Sequence, residues 1–229
     1  MLEVRRLNVY YGESHVIRDV SFELGESETM AVMGRNGMGK STLFKALIGM
    51  IPVRSGTIRL NGAELQSAKS FERVAAGMAY VPQGRMIFSH LTVEENILAG
   101  MDTSASNEVP EYVYRTFPVL KEMRRRKGGN LSGGQQQQLA IARALVANPK
   151  VLLLDEPTEG IQPSIIKDIA RTLNELKHER KFSLLVSEQV LSFAMTIADR
   201  FLIIDKGEFV HEEHRESVNS EKIRSYLTV

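Results

Sequence analysis

Short apolar runs bounded by turn residues fill the N-terminal quarter of this 229-residue chain. They predict strands over residues 4–10, 16–24, 29–33 and 56–60, and Asn61-Gly62 after the last run indicates a tight turn between strands. Beyond Asp155 the pattern alternates between the two periods, with helices predicted over 163–177 and 190–198 and strands over 182–187 and 201–205. This alternation predicts a parallel sheet with crossover helices.

The middle of the chain is mostly helical in pattern. Helices are predicted over residues 40–49, 91–98, 111–126 and 133–147, with one short buried strand over 78–81. Gly49 is a plausible C-terminal stop for the first of these helices. Polar linkers separate the later ones, and residues 103–109 form the loosest of them. The chain has no internal repeat and no low-complexity tract.

Composition excludes several classes of protein. Apolar residues make up 43% of the chain and the formal net charge is +1, so bulk electrostatics do not favour nucleic acid as a partner. The absence of cysteine excludes disulfides and thiolate-bound metal and is compatible with a reducing cytosol. The sequence has no apolar signal core at its N-terminus and no run long enough to span a bilayer. If the protein serves a membrane, we expect it to do so through a partner.

A glycine-rich octet between a predicted strand and a predicted helix carries the first candidate chemistry. It fits the phosphate-loop pattern G-x-x-x-x-G-K-[ST], in which backbone N–H groups and a helix N-terminus surround an anion. Lys40 is expected to meet the β and γ phosphates of a nucleotide, and Ser41 to place its hydroxyl on Mg²⁺. The predicted nucleotide-binding residues of this loop are Gly34, Arg35, Asn36, Gly37, Met38, Gly39, Lys40, Ser41 and Thr42.

Two carboxylates end the apolar run that follows residue 150. Asp155 lies at the predicted end of a buried strand, where it is expected to hold Mg²⁺ directly or through water. Glu156 is one position further and is the candidate general base for an attacking water. Two solvated acids at a strand end would be the simpler interpretation if the phosphate loop were absent.

A second anion-binding loop is predicted just before the helix over 133–147. The run Leu131-Ser132-Gly133-Gly134-Gln135 places a hydroxyl and free backbone amides at a helix N-terminus. The alternative is an ordinary N-capped helix. A chain that already has one phosphate loop needs a reason for a second one.

These three motifs, in this order, resemble the nucleotide-binding subunits of ATP-binding-cassette (ABC) proteins, and the resemblance covers essentially the whole chain. It implies an α/β P-loop ATPase fold with a mixed, largely parallel core sheet, an antiparallel β subdomain and a helical subdomain. Residues 1–83 and 149–229 are expected to form the nucleotide-binding core with the β subdomain, and residues 84–148 the helical subdomain that carries the signature loop.

The resemblance also implies roles for single residues. Gln83 matches the loop glutamine that reaches toward Mg²⁺ or the attacking water, and Gln189 stands where a histidine usually contacts the γ-phosphate. Tyr11 takes the place of the aromatic residue that stacks on adenine, with Tyr10 beside it as the alternative. The signature residues Ser132, Gly133, Gly134 and Gln135 are expected to cap the γ-phosphate bound by another subunit. ATP is therefore the expected substrate, with Mg²⁺.

Partners, location and cargo follow from the same resemblance. A second ABC ATPase subunit, identical or distinct, is expected head to tail, with integral membrane permease subunits and an upstream solute-binding protein. The chain is then cytoplasmic and peripheral on the inner face of the cell membrane. Gln162, in place of the usual aspartate, and Gln189 are typical of the smaller ATPase subunits of importers for branched-chain amino acids or urea. Residues 81–85, 135–138 and 159–163 look closest to the urea version.

Four alternatives remain open. The cassette could belong to the ABC ATPases of DNA repair or translation, although the single phosphate loop and the short junction at Pro149 argue against that class. Gln189 and Gln162 could indicate a nucleotide-binding regulator with little hydrolysis. His211-Glu212-Glu213-His214 could hold a metal, but a solvated tail is the expected structure there. The run Arg124-Arg125-Arg126-Lys127 could meet acidic lipid or a partner, but a solvated helix end is favoured.

Overall fold

The computed structural model describes residues 1–101 and 108–227. The strands are β1 (Leu2–Tyr11), β2 (Ser14–Leu24), β3 (Thr29–Met33), β4 (Ser55–Leu60), β5 (Ala63–Glu64), β6 (Met78–Val81), β7 (Val151–Asp155), β8 (Ser183–Glu188), β9 (Arg200–Asp205) and β10 (Glu208–His214). The helices are α1 (Lys40–Leu47), α2 (Ser70–Ala75), α3 (Val93–Leu98), α4 (Glu111–Thr116), α5 (Pro118–Glu122), α6 (Gly133–Leu145), α7 (Pro163–Arg180), α8 (Leu191–Ile197) and α9 (Ser220–Leu227). Residues 103–107 of the linker expected over 103–109 lie outside the described residues.

A six-stranded mixed sheet forms the centre of the fold. Its strand order is β10-β9-β3-β8-β7-β6, and every neighbouring pair is parallel except β10 with β9. All residues of β3, β7 and β8 are buried, as expected for parallel strands covered by helices on both faces. Because the strands are parallel, the C-terminal ends of β3, β7 and β8 meet at one edge, where Met33 pairs with Glu188 and Asp155 with Ser187.

A separate four-stranded antiparallel sheet has the order β2-β1-β4-β5. The turn at Asn61 and Gly62, with φ values of 50° and 84°, joins β4 to β5 as the Asn-Gly pair predicts. The expected fold class, a P-loop α/β architecture with a mixed core sheet and an antiparallel β subdomain, is confirmed.

Between β6 and β7 the regular elements that the structure describes are helical, from α3 to α6, and loops join them. The single helix expected over 111–126 is wrong: α4 ends at Thr116 and α5 begins at Pro118. Phe117 has φ −125° and ψ 75°, which is non-helical, because the residue before a proline is kept out of the α region. The division of the chain into a core and a subdomain over 84–148 stays a prediction.

Three elements were not expected from the sequence. These are α2, β10 and α9, and β10 contains the segment 211–214 that was expected to be a solvated tail. Alternation along β10 places His211 and Glu213 on its half-buried face, while Glu212 and His214 are exposed on the other. Among the described residues, no helix is long and apolar enough to cross a membrane.

Candidate functional site

The phosphate loop joins the end of β3 to the start of α1 and fits closely against its surroundings. A Cβ on Gly34 would lie 2.4 Å from the backbone oxygen of Ile204, so only glycine allows this approach. Gly39 has φ +107°, which L-residues with a side chain rarely adopt, and it is the residue that begins α1. The loop therefore presents its backbone and the N-terminus of α1 to one small space, an arrangement suited to an anion.

The turn between β9 and β10 packs against the same loop, a contact that no sequence motif predicts. The Gly207 N–H donates to the Met38 carbonyl over 3.0 Å, and the Arg18 N–H donates to the Gly207 carbonyl over 2.9 Å. A Cβ on Gly207 would lie 1.9 Å from the Val16 carbonyl oxygen. The turn thus fills the space between β2 and the phosphate loop and fixes the position of Met38.

Lys40 lies at the centre of the cleft with its ammonium group buried. Its Nζ donates to the Gly34 carbonyl over 2.7 Å and the Arg35 carbonyl over 3.1 Å, and it lies 3.2 Å from Glu156 Oε1. The Lys40 side chain is only 3% exposed, so its charge is directed at the loop and at Glu156.

Asp155 ends β7 and is held by three hydroxyl groups. Ser41 Oγ donates to Asp155 Oδ1 over 3.1 Å, Ser187 Oγ donates to the same oxygen, and the Tyr80 hydroxyl donates to Oδ2 over 3.1 Å. Burial and then the Asp155 carboxylate raise the pKa of Tyr80 above its ordinary value of 10.0, so this hydroxyl keeps the proton it donates. Tyr80 and Ser187 were missed in the sequence because each lies at the end of a strand without a motif.

Glu156 is brought together with both predicted glutamines. Gln83 Nε2 donates to Glu156 Oε2 over 3.2 Å, and Gln189 Nε2 donates to Glu156 Oε1 over 3.1 Å. Gln189 also donates to Asn36 Oδ1 of the phosphate loop over 2.6 Å. Glu156 itself has φ 48°, a left-handed conformation that is uncommon outside glycine and recurs at functional sites.

The signature loop is a fully formed helix cap outside this cleft. Ser132 Oγ accepts from the Gln135 N–H over 3.4 Å, and Gln135 Oε1 accepts from the Ser132 N–H over 3.0 Å, which is a capping box. Ser132 is exposed, whereas a Cβ on Gly134 would lie 2.8 Å from Ile165 Cγ2. The loop therefore packs on one side against the start of α7 and opens to solvent on the other.

Known proteins of similar sequence identify the family of this chain. Residues 17–159 match the family model described as ABC transporter. The chain belongs to the ABC transporter family. It is 39% identical over 232 residues to the high-affinity branched-chain amino acid transport ATP-binding protein BraG of Pseudomonas aeruginosa, covering 99% of both chains. It is 38% identical to the probable branched-chain amino acid transport ATP-binding protein LivF of Archaeoglobus fulgidus, covering 90% of this chain and 89% of that one.

Solved structures agree with the family on the fold. The ADP conformation of MJ1267, an ATP-binding cassette of an ABC transporter, matches with a TM-score of 0.82 at 26% identity, covering 99% of this chain and 94% of that chain. An ATP-binding subunit of an ABC transporter matches with a TM-score of 0.84 at 26% identity over 100% of both chains. The protein is accordingly an ABC ATPase cassette.

Within this cassette, Tyr10 and Tyr11 point to different sides of β1. Tyr10 stacks on His15 with ring centres 4.1 Å apart and lines a separate cavity with Pro52 and Arg54. Tyr11 is the next residue of β1, so its side chain points to the opposite face of the strand from Tyr10, and it is exposed. Val16, which was not expected from the sequence, lines the cleft of about 180 Å³ beside the phosphate loop, together with Lys40, Ser41, Gln83 and Glu156.

The buried carboxylate of Glu188 accepts hydrogen bonds from the backbone of Gln189 and its neighbour. It is 1% exposed and accepts from the Thr158 hydroxyl over 2.5 Å, from the Gln189 N–H over 2.8 Å and from the Val190 N–H over 2.9 Å. Burial raises the pKa of Glu188 above its ordinary value of 4.5, and these hydrogen bonds oppose that rise. Glu188 thus ties the segment after Glu156 to the segment that carries Gln189.

The other candidates do not form sites. His211 pairs with Glu213 over 2.7 Å, and within residues 1–101 and 108–227 no group of three or more His, Cys, Asp or Glu side chains is arranged to hold a metal ion. Residues 124–127 are exposed. They form a turn and not the expected helix end, because α5 already ends at Glu122. Backbone hydrogen bonds from Val93 and Glu94 fix the carbonyls of Arg126 and Arg124 in that turn.

Proposed function

We propose that this cassette is the ATP-hydrolysing subunit of an importer for branched-chain amino acids. Its attachment is peripheral, at the cytoplasmic face of a membrane complex. The observation that supports ATP hydrolysis is the convergence of Lys40, Gln83 and Gln189 on the Glu156 carboxylate at the end of β7. The solute class is supported by the similarity to BraG and LivF over nearly the whole chain.

The phosphates of ATP belong between the loop amides and Lys40. A γ-phosphate there competes with Glu156 for the Lys40 ammonium, which now lies 3.2 Å from Glu156 Oε1. Once that oxygen is released, Glu156 accepts a proton from water. Gln83 and Gln189, whose Nε2 atoms lie within 3.2 Å of the Glu156 oxygens, orient the water and the phosphate. The other residues of the loop, Gly34, Arg35, Asn36, Gly37, Met38, Gly39, Ser41 and Thr42, hold the nucleotide.

The residues for Mg²⁺ fit its chemistry. Ser41 Oγ and Asp155 Oδ1 lie 3.1 Å apart, and with the amide oxygen of Gln83 they offer the hard oxygen ligands that this ion prefers. When bound with ATP, Mg²⁺ neutralises phosphate charge. The chain's own contribution is to hold the Asp155 carboxylate in place through Tyr80 and Ser187, so that it needs no rearrangement.

The adenine belongs beside Tyr11. Its ring is exposed at the end of β1, and Val16 adds an apolar wall to the cleft beside the phosphate loop. An aromatic face against a base contributes modestly to affinity and tolerates any purine. Tyr11 therefore sets affinity more than it sets the chemical step.

The signature loop belongs to the ATP of a second cassette. Ser132, Gly133, Gly134 and Gln135 offer a capped helix N-terminus that opens to solvent, away from this chain's own cleft. The partners are a second ABC ATPase subunit, integral permease subunits that contact residues 84–148, and a solute-binding protein. Residues 1–83 and 149–229 then act as the nucleotide-binding core.

Reconstitution tests this proposal. The complex of this chain with its membrane subunits and binding protein, placed in vesicles with ATP on the side of the cassette, should accumulate leucine, isoleucine and valine. Uptake of urea in their place would establish the urea version, to which residues 81–85, 135–138 and 159–163 look closest. If the chain instead purified with DNA or ribosomes and never with membrane subunits, the importer assignment would be wrong.

A further inference from the structure

The loop that follows Gln83 is held in an unusual backbone conformation. Arg85 and Met86 are consecutive non-glycine residues with left-handed φ values of 68° and 45°. The Met86 N–H donates to the Gly84 carbonyl over 2.7 Å, so the chain reverses tightly here. Such a conformation costs free energy and persists only where its surroundings hold it.

The Arg85 side chain connects this loop to two others. Its Nη2 donates to the Glu159 carbonyl over 2.7 Å, in the segment after Glu156. A Cβ on the signature residue Gly133 would lie 3.5 Å from both terminal nitrogens of the Arg85 guanidinium, and one on Gly160 would lie 3.5 Å from Nη2. The planar guanidinium therefore occupies the space where the three segments meet.

The same loop is fixed to the signature helix at a second point. Arg143, in the last turn of α6, donates from Nη2 to the Met86 carbonyl over 2.8 Å and lies 5.0 Å over the Phe88 ring. The signature loop lies at the other end of α6. Two arginines thus join the strained loop to both ends of this helix, and Gln83 at the start of the loop touches Glu156.

We infer that Arg85 is a positioning residue that links Gln83 at this chain's own nucleotide to the signature loop that serves the second one. This inference rests on the proposed function, because it needs two ATP sites shared between cassettes. A shift of Gln83 as it follows the γ-phosphate moves the loop, and the guanidinium carries that displacement to residues 159–160 and Gly133. Arg85 touches neither nucleotide itself.

A distance measurement tests the link without depending on activity. The chain contains no cysteine, so Asn130→Cys and Glu216→Cys, both at exposed positions, can carry spin labels on the full-length protein with no competing thiol. Adding Arg85→Gln should broaden the distribution of distances between the labels, because the tie to Glu159 is lost. Arg171→Gln, which removes an exposed arginine of α7, is the matched control and should leave the distribution unchanged. Equal distributions for the two variants overturn the inference.

Kinetics of the assembled transporter separate positioning from a general structural role. Arg85→Gln should lower kcat for ATP hydrolysis at least tenfold, corresponding to about 1.4 kcal/mol, and leave KM within about twofold. Arg85→Lys, which keeps one donor for the Glu159 carbonyl, should restore part of that loss. A parallel fall in kcat, ATP affinity and thermal midpoint would show that Arg85 only supports the fold and would overturn the inference. A wild-type complex without ATPase activity would instead refute the proposed function, whatever the spin labels show.

Discussion

The two anion-binding loops of this cassette differ in how far the chain itself completes them. Around the phosphate loop, Ser41 donates to Asp155, Gln189 donates to Glu156, and Lys40 forms an ion pair with Glu156, so the site's groups are partnered within the chain. At the signature loop, Ser132 and Gln135 satisfy only the cap of their own helix, and Ser132 is exposed. Both loops precede a helix and both are rich in glycine.

A helix N-terminus is therefore not by itself a binding site. The phosphate loop gains its chemistry from strand ends that bring acids and amides to it from distant parts of the chain. The signature loop packs instead against Arg85, Gly160 and Ile165. We propose that it serves the nucleotide of another molecule, and the predictions below test this difference between the two loops.

The largest expected effect is on the kcat for ATP hydrolysis, when Glu156 beside the phosphate loop is changed. Glu156→Gln keeps the size of the side chain but removes the base, so kcat of the assembled transporter should fall by about 10² to 10⁴-fold. Nucleotide binding to the isolated chain should persist, because Lys40 and the loop amides remain. Rapid-quench measurement of phosphate release gives kcat, with Glu175→Gln on the exposed face of α7 as control. The same negligible turnover in the wild-type complex and in Glu156→Gln would favour the regulator with little hydrolysis.

Two helix N-caps of the same kind allow an effect on stability to be distinguished from an effect on ATP hydrolysis at the signature loop. Ser132 caps α6 and Thr92 caps α3, each in a capping box. Ser132→Ala and Thr92→Ala should each lower the free energy of unfolding by about 1 kcal/mol in urea titrations. Only Ser132→Ala should also lower kcat of the assembled transporter, by about 10-fold or more, because a donor to the partner's phosphate is lost. Equal kcat in both variants would leave the signature loop as a cap alone.

A substitution of Glu188 tests how much its hydrogen bonds contribute to the free energy of unfolding. Glu188→Gln leaves one of the donors on Thr158, Gln189 or Val190 without an acceptor, at a cost of about 1–3 kcal/mol. Because burial raises the folded-state pKa of Glu188 above 4.5, its contribution favours folding at low pH and is lost as pH rises through the folded pKa. The destabilisation by Glu188→Gln, measured by urea unfolding, should therefore shrink as the pH rises above 4.5. A difference independent of pH would contradict this.

The smallest expected effect distinguishes neighbouring aromatic residues. Tyr11→Ala should weaken ATP binding by about 3- to 10-fold, equivalent to about 0.5–1.5 kcal/mol of stacking. Tyr10→Ala should leave affinity unchanged, because Tyr10 stacks on His15 on the other side of β1. Titration of the isolated chain with a fluorescent ATP analogue measures both. The reverse order would assign the adenine to Tyr10.

Local sequence signals predicted most of the fold. The Asn61-Gly62 turn and the apolar run of β7 that ends at Asp155 were predicted because their signals lie within a few residues. The strand β10 was missed because most of its residues are polar and its extended conformation depends on pairing with β9. The break at Pro118 was missed although the proline is visible, because the helical period continues on both sides of it.

The candidate site was predictable in its residues but not in its contacts. Motif spacing and family resemblance indicated Lys40, Glu156 and Gln189, but not that Gln189 reaches Asn36, a contact across 153 positions of the chain. Arg85 and Glu188 carry no motif of their own. Their roles depend on where the sheet and α6 bring distant backbone groups, which only the folded structure specifies.

Covalent labelling by a reactive ATP analogue tests most directly whether the signature loop serves the nucleotide of a second cassette. Ser132→Cys gives this cysteine-free chain one thiol, and an ATP analogue with a thiol-reactive group on its γ-phosphate reports whether a bound nucleotide reaches it. Thr92→Cys, at the other capping box, controls for chance reaction. The account predicts that Cys at position 132 is modified in the assembled transporter and not in the dilute isolated chain, although the isolated chain binds the analogue. Modification in the isolated chain, or none in the assembly, would contradict it.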